Sequence, residues 1–451
     1  MKSILSKMFI LFCLFASISI EGFSQSVDRQ DYLEVSLQDA VAIALEKNPT
    51  IIIAGKEVEI KKQGKRNALW DMLPEASING SYNHTIKKQT MAMDLGGDVQ
   101  TFKVGMKHNY NGSLDLAVPL FAPALYKVMN ISKHDVNLAI EKSRASEIDL
   151  INEVVKAYFQ ILLSQDSYRV LMQSLKQAED NFNIVSSKYN FGKVSEYDKI
   201  RAEVQMRNIK PSVIAAENAI RLAKTQLKVL LGLSSPAEIV VKDNLKFYQS
   251  VVSDYTGIHL IDLSNNSDLK QLDISESILK SNVKLQRTNY LPTLALNYNY
   301  SYMSFSNKGD LFHYRWFPTS TVGVRLSIPL FNGSNMTKVK QSKIELAKMF
   351  YMREHTQRQL NLLASSYLDN MSASSEQLES NEVSVEQALK GREIARKMYE
   401  VGKGTILELN DSEVALVQAE LSYNQAIFDF LVAKSDYAKM IGTNFLAEVK
   451  F

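Results

Sequence analysis

Cysteine is almost missing from these 451 residues. The one cysteine, Cys13, lies in the apolar run 8–20 near the amino terminus. Beyond it the chain can form no disulfide and offers no thiolate to a metal. Ile10-Leu11-Phe12 in front of it lack the small side chains that precede a lipidated cysteine, so Cys13 reads as an ordinary hydrophobe. An excess of one charge is also lacking: 52 Lys and Arg face 49 Asp and Glu, a formal +3. Nothing in that balance suggests nucleic-acid binding, which needs a concentrated basic face. After residue 24 no apolar stretch reaches the roughly 18 residues of a membrane-spanning helix; a chain without one can still enter a bilayer as a closed β-barrel. No phosphate-cradling G-x-x-x-x-G-K-S/T, no G-x-S-x-G and no H-E-x-x-H occurs. The six histidines, at 84, 108, 134, 259, 313 and 355, show no ligand spacing. The sequence therefore predicts no catalysis, no cofactor and no metal centre.

What is present begins with a leader. Lys2 and Lys7 precede the apolar run, and Gly22-Phe23-Ser24 follow it. Basic, apolar and small segments in that order predict a secretory signal peptide over 1–24, cleaved after Ser24.

The remainder is duplicated. Pro119, Tyr189 and Gly232 recur as Pro329, Tyr399 and Gly442, each at an offset of 210, within Val118-Pro119-Leu120-Phe121 and Ile328-Pro329-Leu330-Phe331 and two further matched segments. Leu73-Pro74 recurs as Leu291-Pro292 at an offset of 218, which places the length difference in the loop 84–109. Landmarks in one order define two copies of one unit: repeat one over 25–233, a linker in the equatorial region over 234–262, repeat two over 263–442 and a tail over 443–451. Each copy reads as helix, strand, loop, strand, very long helix, tight turn, helix.

In copy one, Ser36 is the expected cap of a first helix reaching about residue 71, with Pro49 kinking or breaking it. The strands 76–83, 112–118, 294–302 and 321–328 alternate between an apolar and a polar face, the pattern of half-exposed strands and equally of membrane barrels. Tyr298, Tyr300, Tyr302, Phe312, Tyr314, Trp316 and Phe317 cluster near strand ends; an aromatic girdle is one reading and plain β-propensity the other. Four strands cannot close a barrel with an open interior, and a bilayer tolerates no unpaired edges. Strands in a membrane would therefore require several chains to share one barrel. Between Pro123 and Tyr189 there is neither proline nor glycine, which predicts a helix of about 100 Å. Its apolar residues, among them Leu150, Val154, Ala157, Ile161, Ala178 and Val185, keep a 4,3 spacing, as do Leu360, Ala364, Met371 and Leu378 in copy two. That spacing means helix-on-helix packing. The other helices are expected at about 35 residues each, so that two stacked end to end match one long helix.

Taken together, these residues resemble the TolC-type outer-membrane efflux family. The resemblance spans about 33–442. It rests on the duplicated order, Leu-Pro before the first strand of each pair, Val/Ile-Pro-Leu-Phe closing the second, and Tyr-x-x-Gly in each hairpin turn. It implies a mainly α, α+β fold in which long antiparallel helical hairpins form a periplasmic tunnel and four strands per chain enter a shared trimeric transmembrane β-barrel. It implies a passive exit duct for efflux or type I secretion. The expected partners are two further copies, outer-membrane lipid, a periplasmic adaptor and an inner-membrane transporter. Carried over by motif position, the resemblance assigns a gate to Tyr399 with Asp198 as its partner acid, and to Glu408 and Asp411 as lining acids. The last two are spaced i, i+3, so one helix face presents both; stacked carboxylate rings would favour cations, and a solvated acidic face is the plain alternative. Gly404 stands where the family often has an arginine, so a lock built on that arginine is absent or differently made. Gly192, Lys193, Gly402 and Lys403, at the hairpin tips, are the expected adaptor contacts. His84 and His108 fall with Met91, Met93 and Met106 in one expected extracellular loop, where loop composition is a better reading than metal handling. The rival readings are a periplasmic adaptor, which has one hairpin where this chain has two, and a secreted coiled-coil scaffold without a barrel.

Overall fold

The computed structural model describes residues 32–95, 98–234, 238–253, 261–308 and 315–448. The expected signal peptide lies outside them, as do His259, Phe312, His313, Tyr314 and Phe451.

Strand β1 (Tyr32–Val35) leads into α1 (Leu37–Lys47). Ser36 and Asp39 form a capping box, each satisfying the other's backbone N–H at 3.2 Å. The break expected at Pro49 is real: α2 (Pro49–Trp70) starts anew, with Asn48 accepting from the Thr50 N–H at 2.8 Å. Proline fits there because the first helical N–H has no intrahelical partner to lose. Then come β2 (Glu75–His84), β3 (Gln89–Leu95), β4 (Asp98–Val104), β5 (His108–Phe121), α3 (Pro123–Asn190) and α4 (Glu196–Leu230). The copies are joined by β6 (Glu238–Val241), a 3-10 turn (Leu245–Tyr248) and α5 (Gln249–Ser253). Copy two supplies α6 (Ser267–Thr288), β7 (Thr293–Ser306), β8 (Trp316–Ser327), α7 (Gly333–Glu400) and α8 (Ile406–Ile441), followed by α9 (Phe445–Glu448).

Both long helices, α3 and α7, have 68 residues, about 100 Å each. The helices after the turns, α4 and α8, have 35 and 36, close to expectation. The helices before the strands are shorter than expected, at 22 residues each. The Asn48 break sets the start of α2, and the Asn266 cap sets the start of α6.

End-to-end stacking is built by those two asparagines. Asn48 Nδ2 donates to the Leu230 carbonyl, and Asn266 Nδ2 to the Met440 carbonyl, each at 2.7 Å. The carboxyl end of α4 thus abuts the start of α2, and that of α8 the start of α6, with helix dipoles aligned head to tail. Gly232 (φ +66°) and Gly442 (φ +76°) then turn the chain aside. A Cβ on Gly232 would lie 2.5 Å from the Lys47 oxygen, and one on Gly442 would overlap the Asn265 oxygen.

Four columns result. Near the sheet the helices lie in the order α2–α3–α6–α7; farther away α4 takes the place of α2 and α8 that of α6. The sheet repeats this order, β2–β5–β7–β8, with every neighbour antiparallel. One chain is therefore a curtain of four strand-plus-helix columns. Strands β5 and β7 weld the two copies at its centre, while β2 and β8 are its open edges.

The faces of the sheet separate by chemistry. In the paired rows Ala76–Leu116–Tyr298–Val322 and Ile78–Leu114–Tyr300–Ser320 the side chains share one, largely apolar, face. The alternate rows Ser77–Asp115–Asn299–Thr321 and Asn79–Ser113–Ser301–Thr319 are polar. There the Asp115 carboxylate accepts from Asn79, Asn299 and Ser113 at 2.9, 2.5 and 2.8 Å. Midway along α3, Val154, Val155, Tyr158, Phe159, Ile161 and Leu162 are buried on every side. The parallel pair β1–β6, Tyr248 of the 3-10 turn and Phe445 of α9 cover them. The rings of Tyr248 and Phe445 meet Phe159 edge-on at 5.0 and 5.7 Å. The segment expected as a linker thus supplies part of the equatorial core, as does the tail; elements this short carry no periodicity to read.

Candidate functional site

The two hairpin tips follow one design, offset by 210 residues. After α3, Gly192 (φ +67°) ends the helix, and the Lys193 N–H donates back to the Lys188 carbonyl at 2.9 Å. After α7, Gly402 (φ +74°) does the same, with the Lys403 N–H on the Met398 carbonyl at 2.9 Å. This is the Schellman stop, which needs a residue in the left-handed region. Each tip restarts with a capping box. Ser195 exchanges bonds with Asp198, and Thr405 with Glu408, whose carboxylate accepts the Thr405 N–H at 2.8 Å. Asp198 and Glu408 are therefore equivalent residues of the duplication, both holding the first turn of a helix.

Val185, Ala202, Ile406 and Leu409 form a small buried cluster where the two hairpins meet, joined by Phe182, Val194, Ala395 and Tyr399. Tyr399 is thus anchored by its ring, and Lys188 Nζ lies 4.8 Å from the ring centre. Its hydroxyl is buried and has no hydrogen-bond partner among the described residues. Burial, and after it the negative charge of Asp198, raises the phenol's pKa. The structure therefore brings Tyr399 within electrostatic reach of its expected partner acid Asp198, and no hydrogen bond joins the two. The Asp198 carboxylate accepts instead from Ser195 N and Oγ, at 3.2 and 2.7 Å, both through Oδ2.

Glu408 and Asp411 are both exposed, while Leu409 and Asn410 between them are buried. One outward face of α8 thus carries both acids. Gly192, Lys193, Gly402 and Lys403 are exposed at the extreme end. Beside them stand Phe191 and Val401, 79% and 68% exposed; the sequence reading passed over these apolar side chains, although their place just before each turn glycine was visible. Also unforeseen is the acidic seam above the tip. Burial raises the carboxyl pKa of Glu413 and of Glu420 on α8, while Arg392 on α7 opposes both shifts and Arg396 opposes that of Glu413. At Gly404 a side chain would press on Met398 and the Tyr399 backbone at 3.1 Å, so the turn itself leaves little room for an arginine there.

Among the described residues no helix is long and apolar enough to cross a membrane. The sheet is the part suited to lipid. At its outer end Tyr82, Tyr110, Tyr302 and Trp316 stack along the apolar face, with neighbouring centroids 4.8 to 6.5 Å apart, the arrangement of an aromatic girdle. Tyr82 and Tyr110 were not foreseen in it, and Phe317 belongs to the opposite face. At the inner end Leu330 and Phe331 are almost wholly exposed.

Comparison with known proteins agrees with this arrangement. The family model for outer membrane efflux protein matches residues 41–233 and 262–443, one match in each repeat. The chain is 23% identical over 412 residues to alkaline protease secretion protein AprF of Pseudomonas aeruginosa, covering 90% of this chain and 84% of that one. It is 22% identical over 440 residues to outer membrane protein TolC of Vibrio cholerae, covering 95% and 94%. Among solved structures, the Campylobacter jejuni CmeC outer membrane channel superposes with a TM-score of 0.73 at 16% identity, covering 94% and 93%.

Proposed function

The chain belongs to the outer membrane efflux protein family, and from that premise we propose that three copies assemble into the exit duct of a tripartite export system. The duct lies in the outer membrane with its helical part in the periplasm. It receives cargo from a periplasmic adaptor, and an inner-membrane transporter supplies the energy. The observation that carries the reading is the curtain with two open edges. Among the described residues strands β2 and β8 have partners on one side only, and no bilayer accepts such edges unpaired. Identical chains joined edge to edge close both sheet and helical wall. The polar rows around Asp115 then face the lumen and the apolar rows face lipid. Consistent with relatives named as a secretion protein, an outer membrane protein and an outer membrane channel, the duct is read as passive.

The tips form the resting gate in this reading. Tyr399, Asp198, Glu408 and Asp411 lie at the end remote from the barrel, and Gly192, Lys193, Gly402 and Lys403 offer the adaptor its contact. Support comes from the Tyr399 hydroxyl. A buried hydroxyl without a partner, as this one is among the described residues, costs about 1–3 kcal/mol, a cost that a bond to a neighbouring copy would remove. Glu408 and Asp411, facing outward together, would make two stacked acidic rings. Planar-bilayer recording tests this. Glu408→Gln with Asp411→Asn should lower cation preference; glutamine keeps an oxygen for the Thr405 N–H, so the cap survives. Tyr399→Phe should raise resting conductance. Parent-like behaviour of both variants would place the gate elsewhere.

A further inference from the structure

At the outer end of the sheet two histidines that stand 24 residues apart in sequence are brought into direct opposition. His84 closes β2, His108 opens β5, and the two are paired in the antiparallel register. They lie on the same face as Tyr82 and Tyr110, two paired rows beyond them. Their rings are 4.7 Å apart, and the two Nδ1 atoms are 3.4 Å apart. The Tyr82 hydroxyl is 2.8 Å from His108 Nδ1. A phenol carries its proton at neutral pH and donates it, so that nitrogen is unprotonated, as a metal ligand must be, and an entering ion displaces the hydroxyl from its lone pair. Two imidazole nitrogens bound to one tetrahedral ion at about 2.0–2.1 Å stand roughly 3.3–3.4 Å from each other. The observed separation matches that spacing without any change in the backbone.

We infer that His84 and His108 form a two-nitrogen chelate for a divalent first-row transition ion of the zinc, copper or nickel class at the outer mouth of the barrel. Imidazole donors select this class, and hard ions such as magnesium or calcium call for oxygen donors. Among the described residues no group of three or more His, Cys, Asp or Glu side chains is placed to hold a metal, so the two imidazoles are the donors assigned here. The location favours access. The Tyr82–Tyr110–Trp316 stack marks the interfacial level of the membrane face, and the histidine row lies on its aqueous side. Just beyond, the Thr85 N–H donates to the Lys107 carbonyl at 2.7 Å, where the chain leaves the sheet for the β3–β4 hairpin. A bound ion would therefore clamp the base of that hairpin.

The test uses the tag-free full chain in detergent, because a histidine tag would mask the site. Equilibrium dialysis against Zn²⁺ and Cu²⁺ should saturate at one ion per chain, and the electron paramagnetic resonance of bound Cu²⁺ should show imidazole nitrogen coupling. His84→Ala or His108→Ala should weaken binding roughly tenfold or more, since each leaves a single monodentate nitrogen. His134→Ala and His355→Ala should bind like the parent. Tyr82→Phe should keep the stoichiometry. Parent-like binding by the double His84→Ala/His108→Ala variant would overturn the assignment. So would equal competition by Mg²⁺, or the absence of saturable binding in a parent that is fully assembled by mass.

Discussion

Asn266 works in two directions. Its Oδ1 accepts from the Leu269 N–H at 3.0 Å, starting α6, and its Nδ2 donates to the Met440 carbonyl, closing α8. Replacing it by alanine removes an N-cap, about 1 kcal/mol, and leaves a buried carbonyl unpaired, about 1–3 kcal/mol more. Asn266→Ala is therefore expected to lower the thermal midpoint of the solubilised protein clearly, and Asn48→Ala to do the same in copy one. The glycines allow a sharper comparison. Gly192 and Gly442 both have positive φ, yet a Cβ on Gly192 meets nothing within 4 Å, whereas one on Gly442 collides with the Asn265 backbone. Gly192→Ala should cost only the left-handed penalty, about 1–2 kcal/mol. Gly442→Ala carries the same penalty plus backbone displacement at the helix junction. Thermal denaturation of the two variants should rank Gly442→Ala well below Gly192→Ala; equal loss would refute the junction's role. The glycine pairs were legible as repeated landmarks. Why Gly232 and Gly442 recur was not, because the atoms they make room for lie 185 and 177 residues earlier in the chain, at Lys47 and Asn265.

At the scale of elements, the seam between α7 and α8 is sensitive to protons. Burial holds the carboxyls of Glu413 and Glu420 above the ordinary carboxylate range, with the Arg392 charge pulling both the other way. The folded chain thus keeps these protons at a pH where the unfolded chain has lost them. The seam is accordingly stabilised as pH falls from the raised folded values toward the ordinary glutamate value, and weakened as pH rises through that window. Amide protection in α8, measured relative to intrinsic exchange at each pH, should rise on mild acidification. Glu413→Gln, neutral at every pH, should flatten the dependence and stabilise the seam at neutral pH; an unchanged pH profile would remove Glu413 from the account. The sheet makes a second element-level prediction. Val322 faces the apolar side and is 72% exposed in one chain, while its neighbour Thr321 faces the polar side. Val322→Arg should cost about 2–4 kcal/mol if that face meets lipid. Thr321→Arg should fold normally and alter only conductance. Urea unfolding from vesicles separates the two, and equal tolerance would mean the apolar face is not in the bilayer.

At the scale of the whole molecule, the curtain is incomplete by construction. Its outer columns are α2 with α4 on one side and α7 on the other, continuing the edge strands β2 and β8. Exposed apolar side chains run down both outer columns, Ile52, Ile53 and Ile60 on α2 and Ile344, Phe350 and Tyr351 on α7. A neighbouring copy would cover both rows at once. The one cysteine is Cys13, inside the expected signal peptide, so introduced thiols report cleanly. With Asn79→Cys on β2 and Thr319→Cys on β8, a flexible thiol-reactive cross-linker should convert the protein into covalent species up to three chains. Exclusively monomeric product would show that the edges do not meet in the assembly.

The sequence by itself determined the duplication, the four alternating strands, the two unbroken long helices, the Pro49 break and the glycine turns. Each of these is a local property, written in periodicity or in the conformational limits of proline and glycine. Only the tertiary structure decided which carbonyls Asn48 and Asn266 reach, and that β5 pairs with β7 to join the copies. It also placed β6 and Phe445 on the middle of α3, gave the Asp198 carboxylate to Ser195, and set His84 against His108. Those are contacts between residues distant along the chain or choices among competing partners, and a pattern of spacings carries no record of which partner wins.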